Sequence, residues 1–407
     1  MAEIPETTTS ATSERNYLDE ARELANRLTL NRVASKLKSD PAADLTDFLS
    51  KQLKKYPVFV DSLAKSARAK SQQNETVMND AGKRHEPPGL PTSLLISPEL
   101  PLEILHPLSS HLLELAFEGE SVCAIDGLSD PLSKAFLGAI NRRLSEAECL
   151  HELHGNFVLG LGPSVAVKIS GSLDPDHISN LHYVNSRIPD MPAPQCLGAF
   201  RNGRLSYFFL TRVPGVTLES VWPNLSTSHK LSIQKQLNDI FKGLRSHAPE
   251  LPSGQLNLGS FETGICKDTR RMQRVSDKPI RTEAEFNDFL CHAPGRTITP
   301  WVKMVRPCLK EDHRIVMTHG DFHPRNIMVS WERDQGSAPT AEGIRVSGII
   351  DWELAGWYPE YWEFVKALNT INMRGPLCDW IEFLPTEAIG SYPMEYSIDC
   401  ILGRWLG

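Results

Sequence analysis

The stretch THGDFHPRNIMVS, residues 318 to 330, limits the fold more than any other part of the chain. Gly320 and Pro324 frame a turn crowded with His319, Asp321, His323, Arg325 and Asn326. Glycine lets such a turn bend and proline stiffens it. An apolar, β-branched run from Asn326 to Ser330 leaves the turn directly, and a second run, Ile344 to Ile350, ends at Asp351. The polar segment WERDQGSAPTAEG between the runs reads as the loop of a hairpin. Antiparallel pairing of the runs returns Asp351 to the edge where the crowded turn lies.

Upstream, the pattern divides the chain. Residues 1–90 form an extension: a Thr/Ser-rich start, an amphipathic run from Tyr17 to about Lys38 with Leu18, Ala21, Ala25 and Leu28 on one face, then a polar stretch read as partly disordered. The amphipathic face suits either a protein partner or loose packing on its own domain. Residues 91–213 read as helices near Pro107 to Phe117 and Pro131 to Leu150, followed by strands at Asn156 to Gly160 and Ser164 to Ile169. A helix then starts with Asp174 as N-cap and Pro175 at its first position, where a missing N–H costs nothing. The hairpin QCLGAFRNGRLSYFFLTRVPG turns at Asn202-Gly203. Residues 214–407 read as mainly helical, with an apolar stripe of Leu231, Ile233, Leu237, Ile240, Phe241 and Leu244.

Composition narrows the partners. A formal charge of −7 without a Lys/Arg cluster disfavours nucleic acid. The 8 cysteines show no CxxC or Cys/His ligand spacing, so a zinc site and a disulfide framework are both disfavoured. No apolar run is long enough to span a membrane, and the N-terminal residues carry no signal-peptide pattern, so a cytoplasmic location is expected.

Asp321 and Asn326 make the spacing D-x-x-x-x-N, and Lys168 lies near the end of the strand SVAVKI. A carboxylate to orient a hydroxyl and take its proton, with oxygen ligands for Mg²⁺, is what phosphoryl transfer asks of a protein. HGDFHPRNIMV together with SGIIDWELAGWYPEYWEFVKAL resembles the aminoglycoside phosphotransferase/choline kinase-like family, in particular fungal proteins with that domain, over roughly residues 156–407. The resemblance implies an α+β, bilobal protein kinase-like fold: a small antiparallel sheet lobe with one inserted helix, then a larger helical lobe. It implies Asp321 as catalytic base, Asn326 and Asp351 as Mg²⁺ ligands, Lys168 on the α/β-phosphates of ATP, and Leu210, Thr211, Arg212 and Val213 as the hinge at the adenine. His319 is expected to shape the loop and His323 to lie near the transferred phosphate.

Two departures matter. GNFVLGLGPSVAVK is no G-x-G-x-x-G, so Gly160 and Gly162 are its only candidates for a phosphate clamp. On the helix after Lys168, the position of the family's usual glutamate is His177, which cannot replace a carboxylate; Asp176 is expected to pair with Lys168 on a rotated helix. With 56 residues after Asp351 and no APE motif, a small-molecule hydroxyl is a better acceptor than a protein. Residues 351–387 hold seven acidic side chains against Lys366 and Arg374, which would attract an amine-bearing substrate or merely solvate helix faces. Trp352, Trp357, Tyr358, Tyr361 and Trp362 would form a cation–π surface or a core cluster. The reading is an ATP- and Mg²⁺-dependent small-molecule phosphotransferase; the alternative is a pseudokinase that binds nucleotide or acts as a scaffold.

Overall fold

The computed structural model describes residues 94–117, 134–153, 155–248, 256–268, 274–292, 299–331 and 343–406, together with 44–57 and a few positions between 22 and 60. It separates into two compact units, Met1–Pro88 and Gly89–Gly407. In the first, residues 46–57 are helical and Ala25 and Val60 are buried. Of the predicted amphipathic face, Leu18, Ala21 and Leu28 lie outside the described residues, and so does the polar stretch that follows it.

The second unit opens with strand β1 (Leu102–His106) and helices α1 (Ser110–Ala116) and α2 (Lys134–Ser145). Strands β2 (Glu148–Leu153), β3 (Asn156–Leu161) and β4 (Val165–Ser170) follow, then helix α3 (Pro175–Arg187) and strands β5 (Cys196–Asn202) and β6 (Leu205–Thr211). They form a six-stranded sheet in the order β1-β5-β6-β4-β3-β2. Every pair in it is antiparallel. The sequence pattern signals neither edge strand: nothing in it marks β1, and the helix expected to run to Leu150 ends at Ser145, with Glu148 to Leu150 in β2. β2 is exposed on both faces, so its residues show no alternation to read.

Alternation on β4 decides where its lysine goes. Val165, Val167 and Ile169 point into a core shared with Leu112, Phe136, Ile140, Phe200 and Phe209, which covers one sheet face with α1 and α2. Lys168 therefore points to the opposite face, beside its cross-strand partner Phe208. Against that face stands α3, capped by the Asp174 carboxylate on the Asp176 N–H with Pro175 in the first turn.

The rest is mainly helical. Strand β7 (Val216–Thr217) leads to α4 (Thr227–Arg245), which buries Ile233, Leu237, Phe241 and Leu244. Leu231, placed on that stripe from the sequence, is 52 % exposed because it falls on the outer side of the helix. A short pair, β8 (Lys267–Asp268) and β9 (Arg274–Val275), precedes α5 (Glu283–Leu290) and α6 (Pro300–Val305). Strand β10 (Ile315–Thr318) enters the crowded turn, and β11 (Ile327–Trp331) and β12 (Ile344–Ile349) form the hairpin after it. Strand β13 (Gly356–Pro359) pairs back onto β10, and α7 (Trp362–Leu368) and α8 (Pro393–Leu406) close the chain. No disulfide occurs, and no helix is long and apolar enough to cross a membrane, among the described residues.

The aromatic group after Asp351 is core: Trp352, Trp357, Tyr358, Tyr361 and Trp362 are at most 4 % exposed. Beside it lies a buried charged cluster. Asp268 pairs with Arg274 and with Lys366, whose ammonium also sits 4.3 Å from the centre of the Trp362 ring. Removing one partner of a buried pair costs about 3–5 kcal/mol, because the remaining charge is left without water. Asp268→Asn, which takes the shared carboxylate from both Arg274 and Lys366, should therefore lower unfolding free energy by about 3 kcal/mol in urea titrations; an unchanged midpoint would contradict this account of the cluster.

Candidate active site

The crowded turn is held from inside. Asp321 is 2 % exposed, and both Nδ2 hydrogens of Asn326 go to it, to its carbonyl at 2.9 Å and its Oδ2 at 2.7 Å. The Arg325 guanidinium donates to the other carboxylate oxygen at 3.3 Å. His323 Nδ1 accepts the Arg325 N–H and so caps the 3₁₀ turn Pro324–Asn326. Spending Nδ2 on Asp321 fixes the Asn326 amide so that Oδ1 is its end for a cation.

His319 is fully buried, with its two ring nitrogens engaged differently. Nδ1 accepts the Asp321 N–H at 3.2 Å and Nε2 meets the Ile350 carbonyl at 3.0 Å, so Nε2 carries the proton. The ring packs edge-on against Trp352. A second brace comes from α7, where Glu363, 0 % exposed, accepts the His319 N–H at 2.7 Å and the Gly320 N–H at 3.2 Å. Gly320 has φ +77, and a Cβ there would lie 2.4 Å from the Leu354 carbonyl oxygen, so only glycine permits this approach.

Hairpin pairing carries Asp351 to the same place: the Ile350 N–H bonds to the Asn326 carbonyl at 2.9 Å. Asp351 has φ 66 and ψ 61, and it is the one non-glycine residue with positive φ among the described residues. Such a left-handed residue is uncommon, though aspartate tolerates it better than most, and backbones held this way cluster at functional sites. Lys168 reaches it from the sheet: Nζ is 3.0 Å from Asp351 Oδ1 and 3.1 Å from Glu353 Oε2. Burial works to lower the lysine pKa, but the two carboxylates beside it raise it above its ordinary value.

The expected pairing of Asp176 with Lys168 does not form. Asp176 faces away from β4, toward Lys267, whose ammonium bridges it to Asp174 at 2.6 and 2.5 Å, and toward Thr263 Oγ1 at 3.2 Å. His177 does face the lysine. It is 3 % exposed, lies edge-on to Phe208, and its nitrogens stand 3.8 Å from Asp351 Oδ1 and 3.7 Å from Glu353 Oε2. Burial, with help from the Lys168 charge, pushes its pKa down to about 3, so the ring is neutral. His177, Asp351 and Glu353 offer three ligand atoms within 4.8 Å of one another, a set in which the Lys168 ammonium already meets both carboxylates. Asn180 ties α3 to this turn through the carbonyls of Trp352 and Glu353.

The residues expected to meet the nucleotide are less tightly organised. Gly160 lies inside β3, and Gly162 has φ +79 in the turn before β4, its carbonyl accepting from Arg212. Of the predicted hinge, Leu210 is a ladder residue of β6 between Ala166 and Cys196. The N–H groups of Thr211 and Arg212 are committed to Gln195 and Ser164 carbonyls, and the Arg212 guanidinium pairs with Glu148 at 2.7 Å. The acidic excess of 351–387 is largely compensated: Glu360 pairs with Arg314, Asp379 with Lys230 and Glu387 with Lys242.

The sequence model of the phosphotransferase enzyme family matches residues 176–387. The chain belongs to this family. Solved structures similar to it include the GDP complex of wild-type aminoglycoside 2'-phosphotransferase-IIIa, at 13 % identity over 63 % of this chain and 81 % of that one, TM-score 0.42. Aminoglycoside phosphotransferase APH(3'')-Id from Streptomyces rimosus ATCC10970 matches at 16 % identity over 64 % of this chain and 93 % of its own, TM-score 0.38. APH(4)-Ia matches at 15 % identity over 64 % and 86 %, TM-score 0.39. Among curated proteins there is no match.

Lys168 precedes the matched segment of this phosphotransferase-family chain; sequence reading gives no site role to Glu353, Glu363 or Asn180, and names Arg325 in the crowded turn without assigning it one. Glu353 and Glu363 carried a signal only as members of the acidic run. Burial drives the Glu363 carboxyl up to about 7, against the opposing pull of Arg245 and the two loop N–H groups. A carboxyl whose pKa rises on folding favours the native state below its unfolded value of 4.5, and that contribution is lost as pH climbs through 7. The melting temperature of wild type relative to Glu363→Gln should accordingly fall between about pH 5 and about pH 8. A difference that stays flat across that range would show that the carboxyl does not titrate there.

Proposed function

We propose that this phosphotransferase-family chain moves the γ-phosphoryl group of ATP to a hydroxyl of a small molecule. The observation that carries the reading is the placement of Asp321 and Asp351 on neighbouring turns, joined through Asn326 and His319, with Lys168 reaching Asp351 from the sheet. Such transfer asks for positioning and charge stabilisation more than for covalent help.

Asp321 is the group that orients the acceptor hydroxyl and takes its proton as the new O–P bond forms. The bond from the γ-phosphorus to the β,γ-bridging oxygen breaks, and ADP leaves with the electron pair. Arg325 and Asn326 fix the Asp321 carboxylate in one rotamer. Lys168 is placed to meet phosphate oxygens from the sheet. Asp351 and the Asn326 Oδ1 are hard oxygen donors of the kind Mg²⁺ takes. When bound there, the ion offsets charge on the phosphoryl oxygens. The stretch Leu210 to Val213 is the one proposed to meet the adenine edge, with the N–H groups of Thr211 and Arg212 already bonded within the protein. A cytoplasmic setting, where ATP and Mg²⁺ are plentiful, belongs to the same reading. Because the acidic run is largely paired with cations, the reading carries no preference for an amine-bearing acceptor.

The test is to incubate the protein with ATP, Mg²⁺ and a metabolite extract and to search by mass spectrometry for a compound that gains a phosphoryl group. Asp321→Asn should form that product about 10²–10⁴ times more slowly, the range for loss of a positioned base. Equal rates would refute the base assignment. Nucleotide binding without any product would favour the pseudokinase.

A further inference from the structure

We propose that the outer face of α6 and α8 docks on an anionic lipid surface, so that the protein rests on a membrane without crossing it. The inference is independent of the phosphotransfer reading, since neither helix carries a residue assigned to the candidate active site.

Both helices have an inner and an outer side. Val302 and Val305 of α6 and Ile398 and Leu402 of α8 turn inward to one core cluster. On the outer side, Trp301 is 62 % exposed, Met304 and Met394 are more than half exposed, and Ile401 is exposed as well. The Trp301 and Trp405 rings stand 5.9 Å apart and bring the rows of the two helices together. Met304 follows Trp301 by three residues and Ile401 precedes Trp405 by four, so each shares a helix face with its tryptophan. Met394 continues the row two turns before Ile401. One exposed apolar side chain is ordinary on a protein surface, but a group of them in one patch marks an interaction site.

Charge selects what covers this face. The exposed polar side chains of the two helices are Lys303, Ser397 and Arg404, two cations and no carboxylate, on a chain of net charge −7. A second copy packed symmetrically on the patch would bring these cations against their own counterparts with no acid to meet them. A protein partner of standard size is held by about ten directed hydrogen bonds, which one hydroxyl and two cations cannot supply. A lipid surface needs none of them. Tryptophan settles at headgroup level, the apolar row reaches the acyl boundary, and Lys and Arg meet anionic headgroups. Among the described residues no helix is long and apolar enough to cross a membrane, so the contact is with its surface.

Co-sedimentation of the full chain with vesicles tests the assignment. The protein should pellet with vesicles of equal parts phosphatidylserine and phosphatidylcholine, much less with phosphatidylcholine alone, and added salt should release it. Trp301→Ser should weaken partitioning about tenfold, as expected for losing one apolar side chain of this size from the contact. Lys303→Glu together with Arg404→Glu should remove the preference for phosphatidylserine. All three positions are exposed, so each variant should melt as wild type does, and the loss of binding is then read on folded protein. No binding to either vesicle, equal binding to both, or binding indifferent to Trp301→Ser would overturn the inference. So would a dimer in sedimentation equilibrium that Trp301→Ser dissolves, because the occupant of the face would then be a second copy.

Discussion

A single buried carboxylate holds the site together. Glu363 stands in the first turn of α7 with no exposed surface, and it spends its oxygens on the backbone N–H groups of His319 and Gly320. Those donors are in a bend that no regular ladder could satisfy, and buried N–H groups left unpaired are costly. Once they are fixed, the His319 ring is fixed too, and it links the Asp321 N–H to the Ile350 carbonyl just before Asp351. The candidate base and the candidate metal aspartate are thereby set relative to each other through rigid backbone. The glycine at 320 completes the arrangement by letting the bend approach Leu354 closely.

Much of this was legible in the sequence because it depends on local pattern. The Asn202-Gly203 hairpin, the Asp174-Pro175 helix start and the two β-branched runs around the polar loop each carry their own turn or cap chemistry. The alternation of SVAVKI is kept in the structure, where Val165, Val167 and Ile169 face the core and Lys168 takes the other face. Edge strands escaped: β2 has no buried face, so nothing in ECLHEL had to alternate.

Charge partners were not legible, for a physical reason. A carboxylate's role depends on what the rest of the chain brings within about 4 Å, and sequence spacing does not record that. Asp176 suggests itself as partner of Lys168 because it adjoins position 177 on the helix; Lys267, 91 residues away, claims it. Glu353, Glu360, Glu363, Asp379 and Glu387 read alike as an acidic run. In the structure one contacts the lysine, one braces the loop, and the others pair with Arg314, Lys230 and Lys242. Coulomb interactions are short-ranged in salt, so paired charges of this kind leave little field for steering a substrate.

The location of the Lys168 partner bears on how such a site can be controlled. Where the aligning glutamate rides on a mobile helix, rotating the helix breaks the ion pair and the site can be switched by whatever packs on that helix. Here both carboxylates that meet Lys168 belong to the turn at residues 351–353, and Asn180 fastens α3 to that turn instead of leaving it to swing. Asn180 is fully buried and also receives Ser260 Oγ at 2.8 Å and the Phe261 N–H at 3.2 Å. Moving α3 would thus break a satisfied buried amide without releasing Lys168 from its partners. The sheet lysine is aligned by the same turn that carries Asp351, so the two halves of the site are set by one element.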